Sequence, residues 1–181
     1  MTTGPDFSHG EVPRRSFGER LWGAIRLDAT VYEEVEHTPD AMSQAVAVVA
    51  LAAVAQTVGV PGSAGIVGGL LGGFIGWAIS TGVIWVIGVK LLDHTSDYPE
   101  LLRTLGFASA PQLLYAFGAL PLGPGAPVLA VAITVLGLCA WVIAVRQALD
   151  TTTVRSVVIC LLAQIPGLVL LALAVSVAPP A

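Results

Sequence analysis

The distribution of charge constrains this chain more than any other feature. All eight basic and twelve acidic residues lie in three windows, residues 1–40, 90–103 and 146–155. The other three stretches, residues 41–89, 104–145 and 156–181, contain no Asp, Glu, Lys or Arg. A water-soluble domain needs charge spread over its surface, whereas only 11% of these residues are charged. The sequence therefore predicts an all-α, polytopic transmembrane helix bundle.

Turn-forming residues divide the uncharged stretches into segments that could each cross a bilayer. A membrane helix needs about 20 apolar residues, and the Pro- and Gly-rich stretches at 60–63 and 121–127 interrupt continuous helices. We predict five spans, near residues 41–59, 65–89, 104–120, 128–145 and 155–177. Residues 1–37 then form a short N-terminal segment, and residues 38–181 form a five-span transmembrane domain.

The basic residues orient this arrangement. With five spans, all eight Lys and Arg residues fall on the side of the N-terminus. By the positive-inside rule that side is the cytosol, so the C-terminus lies on the other side. We expect a multi-pass integral membrane protein. Because acids outnumber bases in residues 1–40, we expect no binding to nucleic acid.

Two short helices are predicted before the first span. Apolar residues at Phe17, Leu21, Trp22 and Ile25 follow a helical period, which is typical of an interfacial amphipathic helix. Asp28 is placed to cap a second helix, Ala29–Glu36. We take Trp22 and Tyr32 as candidate interfacial residues. Docking of these helices on the cytosolic end of the bundle itself remains an equal alternative.

The second predicted span carries a glycine ladder. Two rows of glycines recur every four residues, and in lipid such rows allow helix backbones to approach closely. We favour contact with another span of the same chain, and contact between copies in a homo-oligomer remains open. The candidate helix-packing residues are Gly65, Gly68, Gly69, Gly72, Gly73 and Gly76.

Few residues inside the spans carry chemistry. Pro111 predicts a bend near residues 107–110 in the third span. No ionisable residue lies at bilayer depth, and no phosphate-binding loop, zinc motif or nucleophile motif is present. We therefore expect no enzyme, no catalytic residue, no metal and no cofactor. Four glutamines could line a path between kinked spans: Gln44, Gln56, Gln112 and Gln164.

Three segments resemble the prokaryotic branch of the Yip (Ypt-interacting protein) membrane family. They are Leu27–Val35 before the first span, Arg103–Pro111 in the third and Ala144–Asp150 closing the fourth, within a similarity over about residues 20–177. The resemblance implies a five-span bundle with a cytosolic N-terminus, in a prokaryotic inner or plasma membrane. Eukaryotic relatives are linked to vesicle traffic and Rab-type GTPases through their cytosolic parts. The candidate motif residues are Asp28, Arg103, Gly106, Pro111, Arg146, Gln147 and Asp150.

Two functions compete on these observations. The first is a non-catalytic scaffold in the lipid bilayer that organises the membrane or binds cytosolic or membrane protein partners at its cytosolic face. The one-sided charge, the helix with Trp22 and the resemblance favour it. The second is passage of a small solute, an ion or lipid through a kinked helix bundle, which Pro111 and the glutamines would permit.

Overall fold

The computed structural model of the chain describes residues 14–60, 62–63 and 65–169, and this part contains helices and no strand. The helices are α1 Phe17–Ile25, α2 Ala29–Glu36, α3 Ala41–Gly59, α4 Gly65–Trp85 with the π-helical turn Val86–Leu91, α5 Tyr98–Phe107, the 3-10 helix Ala110–Ala119, α6 Gly125–Ala148 and α7 Thr153–Ala163. The π-helical turn extends α4, and the 3-10 helix follows α5.

Three helices are long and apolar enough to cross a membrane. They are Ala41–Gly59, Gly65–Leu91 and Gly125–Ala148, with 19, 27 and 24 residues. This confirms an all-α fold with membrane-spanning helices, whereas five spans stay a prediction. The fifth predicted span, 155–177, begins within a shorter apolar helical segment, Thr153–Val169. Its remainder lies outside the described residues.

The third predicted span, near 104–120, is not one kinked α-helix. The α-helix ends at Phe107, and the 3-10 helix begins at Ala110, directly before Pro111. Proline has no N–H to donate and its ring crowds the carbonyl four residues earlier, so the α-helix is interrupted at this point instead of bending. At about 1.5 Å per α residue and about 2 Å per 3-10 residue, the two pieces placed end to end would still extend roughly 35 Å.

Helix α3 lies against α4, α5 and the 3-10 helix. Small residues make this possible. A Cβ added at Gly106 would lie 2.7 Å from the Cβ of Ala45, and one at Gly118 would overlap the carbonyl of Gly59. Since close backbone approach is the main source of helix association in lipid, these glycines fix the position of the broken third segment beside α3.

The N-terminal helices pack onto the same core. On α2, Val31, Tyr32 and Val35 are fully buried or nearly so, because α2 lies against α5 and α6. The Tyr32 hydroxyl donates a hydrogen bond to the Ala24 carbonyl at 2.9 Å. The ring of Tyr32 is therefore enclosed by protein, which agrees with docking of α2 on the bundle, and its position at the level of the interface stays a prediction.

Helix α1 also turns its apolar side to the bundle. Phe17, Leu21 and Ile25 pack against the core, and the Phe17 ring meets Phe107 edge to face at 6.5 Å between centroids. Trp22 remains 60% exposed. Helix α1 thus docks on the bundle through its apolar side, and contact of Trp22 with lipid stays a prediction.

Candidate functional site

The charged side chains of α1 and α2 form a buried network at one end of the bundle. Arg20 is 3% exposed, and its Nε and Nη2 donate to Glu34 Oε1 at 3.0 and 2.8 Å. Its Nη1 donates to Gln44 Oε1, in the first turn of α3, at 2.9 Å. We call this region, defined by Arg20, Glu34, Gln44 and Arg103, the charged end. Arg20 ties both N-terminal helices to the first membrane helix.

Arg103 provides a second connection. It is 8% exposed, and its Nε and Nη2 donate to the carbonyls of Val35 and Glu36 at 3.2 and 2.5 Å. The last carbonyls of a helix have no partner within the helix, and a cation is favoured at that end of the helix dipole. The family-motif residue Arg103 thus caps α2 from α5.

The exposed rim of the charged end is also paired. Asp28, the predicted cap of α2, accepts hydrogen bonds from the backbone N–H and the hydroxyl of Thr30 at 3.0 and 2.7 Å. The Thr30 hydroxyl bond, together with nearby Arg15, lowers the pKa of Asp28 despite slight burial. Arg15 contacts Asp28 at 3.7 Å and Glu34 at 3.5 Å.

Glu36 is the least favourably placed acid of this region. It is 8% exposed, and burial raises its pKa to about 7. Nearby His37 lowers this pKa, whereas the charges of Glu100, Asp150 and Glu33 raise it further. Within the described part of the chain its carboxylate has no ion pair. Both the protonated and the ionised form are therefore populated near neutral pH.

The predicted motif at the end of α6 is arranged differently. Arg146 donates to the side-chain carbonyl of Gln147 at 3.3 and 3.2 Å. Asp150 is exposed, with a φ of 44° in the turn that follows α6. Among the described residues, Arg146 and Asp150 do not form the local ion pair that their spacing allows.

The two rows of the glycine ladder have different neighbours. Side chains at Gly69 and Gly73 would collide with α3, the first with the Thr57 hydroxyl and the second with the Ala53 Cβ at 2.9 Å. Gly72 and Gly76 have nothing within 4 Å of an added Cβ. One row packs within the chain, and the other leaves an open space. At the head of the ladder, Gly65 has a φ of 73° and is open, and Gly68 is half-buried.

The glycine row with Gly72 and Gly76 borders a cavity of about 310 Å³. The cavity lies between α3, α4, the 3-10 helix, α6 and the residue that follows α7. Three of the four glutamines considered from sequence line it, namely Gln56, Gln112 and Gln164, whereas Gln44 belongs to the charged end. The remaining polar or aromatic lining residues are Trp77, Ser80, Ser109, Tyr115, Thr134 and Trp141.

Part of this lining is already hydrogen-bonded. Gln56 Nε2 donates to Gln112 Oε1 at 3.2 Å, and the hydroxyls of Tyr115 and Thr134 lie 2.8 Å apart. Sequence reasoning missed Tyr115 and Thr134, although both are polar interruptions of otherwise apolar stretches. The buried indole N–H of Trp77 has no acceptor among the described residues.

No cluster of three or more His, Cys, Asp or Glu side chains suited to a metal occurs in residues 14–60, 62–63 and 65–169. The polar loop before α5, residues 93–97, supplies a helix cap. Asp97 accepts from the Glu100 N–H at 2.7 Å, and Glu100 accepts from the Asp97 N–H at 2.9 Å, which is a capping box.

Long apolar helices that carry a polar cluster at one end define an all-α integral membrane protein. The family model of the Yip1 domain matches residues 32–176. The chain therefore belongs to the Yip family. Searches of curated proteins and of solved structures gave no significant match.

Proposed function

We propose that this chain is a non-catalytic membrane scaffold that binds a protein partner at its charged end. The observation that carries the proposal is the fixation of α1 and α2 by two buried arginines, Arg20 and Arg103. Rigid helices held on a bundle present a preformed surface, which reduces the entropy lost when a partner binds.

One residue of this surface is a candidate anchor. Trp22 is 60% exposed on α1, and a shallow hollow beside it is lined by Glu19, Gly23, Arg26 and Asp28. Exposed tryptophan and arginine are typical of the residues that contribute most binding energy at protein interfaces. The charges of both signs around Trp22 would supply orientation.

The proposal includes a five-span topology with the charged end in the cytosol. The interrupted third segment and α7 would serve as the third and fifth spans, and the basic windows support the orientation. Labelling of single engineered cysteines in a Cys139→Ser, Cys160→Ser background tests it, because the described residues contain only these two thiols. Cysteines at positions 22 and 150 should react from the cytosolic side, and one at position 123 from the other side.

Site-specific photo-crosslinking tests the partner surface. A photoreactive phenylalanine analogue at position 22 should give a discrete protein adduct in native membranes. The same analogue at position 131, an exposed position on α6, should give no protein adduct. Absence of an adduct at position 22 and throughout α1 would contradict the proposal.

A point variant is a sharper functional test than a deletion. Removing residues 1–37 would also remove Tyr32, which is fully buried, so the bundle itself would be damaged. Trp22→Ala changes the surface only. It should abolish the adducts formed from neighbouring α1 positions while leaving the thermal unfolding temperature unchanged.

Passage of a small solute, an ion or lipid is a second candidate function, and the cavity beside α4 favours it. Its lining combines three glutamines with the open glycines Gly72 and Gly76. Liposomes containing the purified protein would test it with a panel of solutes and fluorescent lipids. Flux above that of protein-free liposomes would support this function, and no flux across the panel would exclude it.

A further inference from the structure

The cavity lies in the middle of two membrane-spanning helices. Its lining on α4 runs from Gly72 to Ser80 within the helix Gly65–Leu91, and on α6 from Ile133 to Trp141 within Gly125–Ala148. Both segments are central in their helices. The cavity is therefore far from the charged end and distinct from the proposed partner surface.

Several polar groups of the lining are not used by the protein. Gln112 Oε1 accepts from Gln56, yet the Gln112 amide N–H groups and the Gln56 carbonyl have no partner within the described part of the chain. The buried indole N–H of Trp77 also has no acceptor among the described residues, and the side chains of the half-buried Ser80 and the exposed Gln164 border the same space. The paired amides thus offer one free donor group and one free acceptor side by side.

The amides of the exposed Gln56 and Gln164 and of the half-buried Gln112 are accessible to a ligand in this space. An unsatisfied amide in hydrocarbon is strongly unfavourable, and a space of about 310 Å³ is much larger than one water molecule. None of the described lining residues is charged. A charged guest would have to leave water without a counter-charge, whereas an uncharged guest needs only hydrogen bonds.

We propose that this cavity binds an uncharged molecule that presents a hydroxyl group beside a second hydroxyl or carbonyl oxygen. The hydroxyl hydrogen would be donated to the Gln56 carbonyl, and the neighbouring oxygen would accept from the Gln112 amide. A neutral glycerolipid and a free polyol both carry this chemistry. The site is independent of whether the charged end binds a partner.

Tryptophan fluorescence gives a direct binding assay. The chain has four tryptophans, and Trp77 and Trp141 line the cavity. In the full chain carrying Trp22→Phe and Trp85→Phe, the emission therefore reports on the cavity. The probes are 1,2-dioctanoylglycerol as the neutral lipid, glycerol as the free polyol and dioctanoyl phosphatidate as the charged lipid with the same chains.

We expect a saturable emission change with at least one neutral probe. Saturation by dioctanoylglycerol alone identifies the lipid as the source, saturation by glycerol alone identifies a water-soluble polyol, and saturation by both shows that the shared oxygen pair is sufficient. Phosphatidate should bind at least tenfold more weakly than the neutral lipid. No saturation by either neutral probe, or equal binding of phosphatidate, would overturn the proposal.

Matched variants locate the binding. Gln112→Leu should weaken binding about tenfold, as expected for loss of a hydrogen-bonding group worth about 1.4 kcal/mol. Gly137→Leu should abolish it, because a Cβ at this position already lies 3.9 Å from Gln112 Nε2. Ala132→Leu, on the exposed side of α6, should leave it unchanged.

A second filling variant covers the case in which Gly137→Leu does not fold. Gly72 borders the cavity and has nothing within 4 Å of an added Cβ, so Gly72→Leu can be accommodated by the fold while entering the space. Folding is checked by circular dichroism. Binding that persists in a folded Gly137→Leu or Gly72→Leu variant would contradict the assignment.

Discussion

The charged end and the cavity differ in how far their polar groups are hydrogen-bonded. At the charged end, Arg20 and Arg103 are almost fully buried and each has several hydrogen-bond acceptors. In the cavity, Gln112 and Trp77 retain donors without acceptors in the described part of the chain. Satisfied polar groups hold a fold together, whereas unsatisfied groups are sites where another molecule can bind.

The difference also separates the two kinds of function. The charged end is a structural joint that presents a surface, so its variants should change stability first. The cavity lining has one amide pair between helices, Gln56 and Gln112, so we expect its variants to change binding before stability. The following substitutions test this division.

The largest effect is expected for Arg103→Met. This change keeps much of the apolar side chain but leaves the carbonyl of Glu36 without a donor among the described residues and removes the side-chain donor to Val35, whose carbonyl still accepts from the Thr38 N–H. We expect the free energy of unfolding in detergent to fall by about 3 kcal/mol. Arg155→Met is the matched control, since Arg155 is exposed, and it should change stability by less than about 0.5 kcal/mol. Equal effects of the two variants on the free energy of unfolding would contradict a structural role for Arg103.

A pH-dependent effect is expected for Glu36. Its pKa of about 7 in the folded chain lies above its ordinary value of 4.5, so the folded state holds more protons than the unfolded state between these values. Stability contributed by this group is therefore lost as the pH rises through that window. Glu36→Gln should raise the free energy of unfolding by about 1–2 kcal/mol at pH 8 and change it little at pH 4.5.

The exposed Glu33 on the same helix provides the control for this pH effect. Comparing Glu36→Gln with Glu33→Gln at both pH values separates burial from a general change of charge at the charged end. A stability gain of the same size in both variants would show that burial of Glu36 is not the cause.

A smaller effect is expected for the cap of α2. Asp28→Ala removes the bonds to Thr30, and loss of such a cap costs about 1 kcal/mol. Asp40→Ala removes a carboxylate that makes no side-chain cap bond to α3 and should cost less than about 0.5 kcal/mol. Thermal unfolding of the two variants would compare them directly, and the cap assignment would fail if Asp40→Ala were the more harmful.

The smallest stability effect is expected in the cavity. Gln112→Leu removes one amide pair but also removes unsatisfied donors, so the free energy of unfolding without ligand should change by less than about 0.5 kcal/mol. The same variant should bind the ligand about tenfold more weakly, as described above. A loss comparable to that of Arg103→Met would mean that the cavity amides are structural as well.

Local sequence signals predicted the elements better than their contacts. Charge-free stretches and Pro-Gly breaks predicted the long helices, because hydropathy and helix termination are properties of neighbouring residues. The partners of Arg20 and Arg103 could not be predicted, since Arg103 reaches carbonyls 67 and 68 residues away. Such contacts depend on the packing order of the helices.

The remaining differences have the same origin. An aromatic residue on an amphipathic helix is compatible with both a membrane interface and a protein core, and only the packing of α2 shows that Tyr32 is enclosed by protein. Proline predicts a distortion at residues 107–110, but this local signal does not distinguish a bend from the change to a 3-10 helix that occurs there. Three of the four candidate glutamines meet in one cavity, and this depends on how the helices pack.

Hydrogen exchange of α2 in lipid nanodiscs tests most directly whether the charged end is a fixed structural joint. We predict that the backbone amides of residues 33–36 exchange at least 100-fold more slowly than in an unstructured peptide, and that Arg103→Met removes most of this protection. Arg155→Met should retain it. Rapid exchange of these amides in the unmodified chain, or protection that Arg103→Met leaves unchanged, would contradict this interpretation.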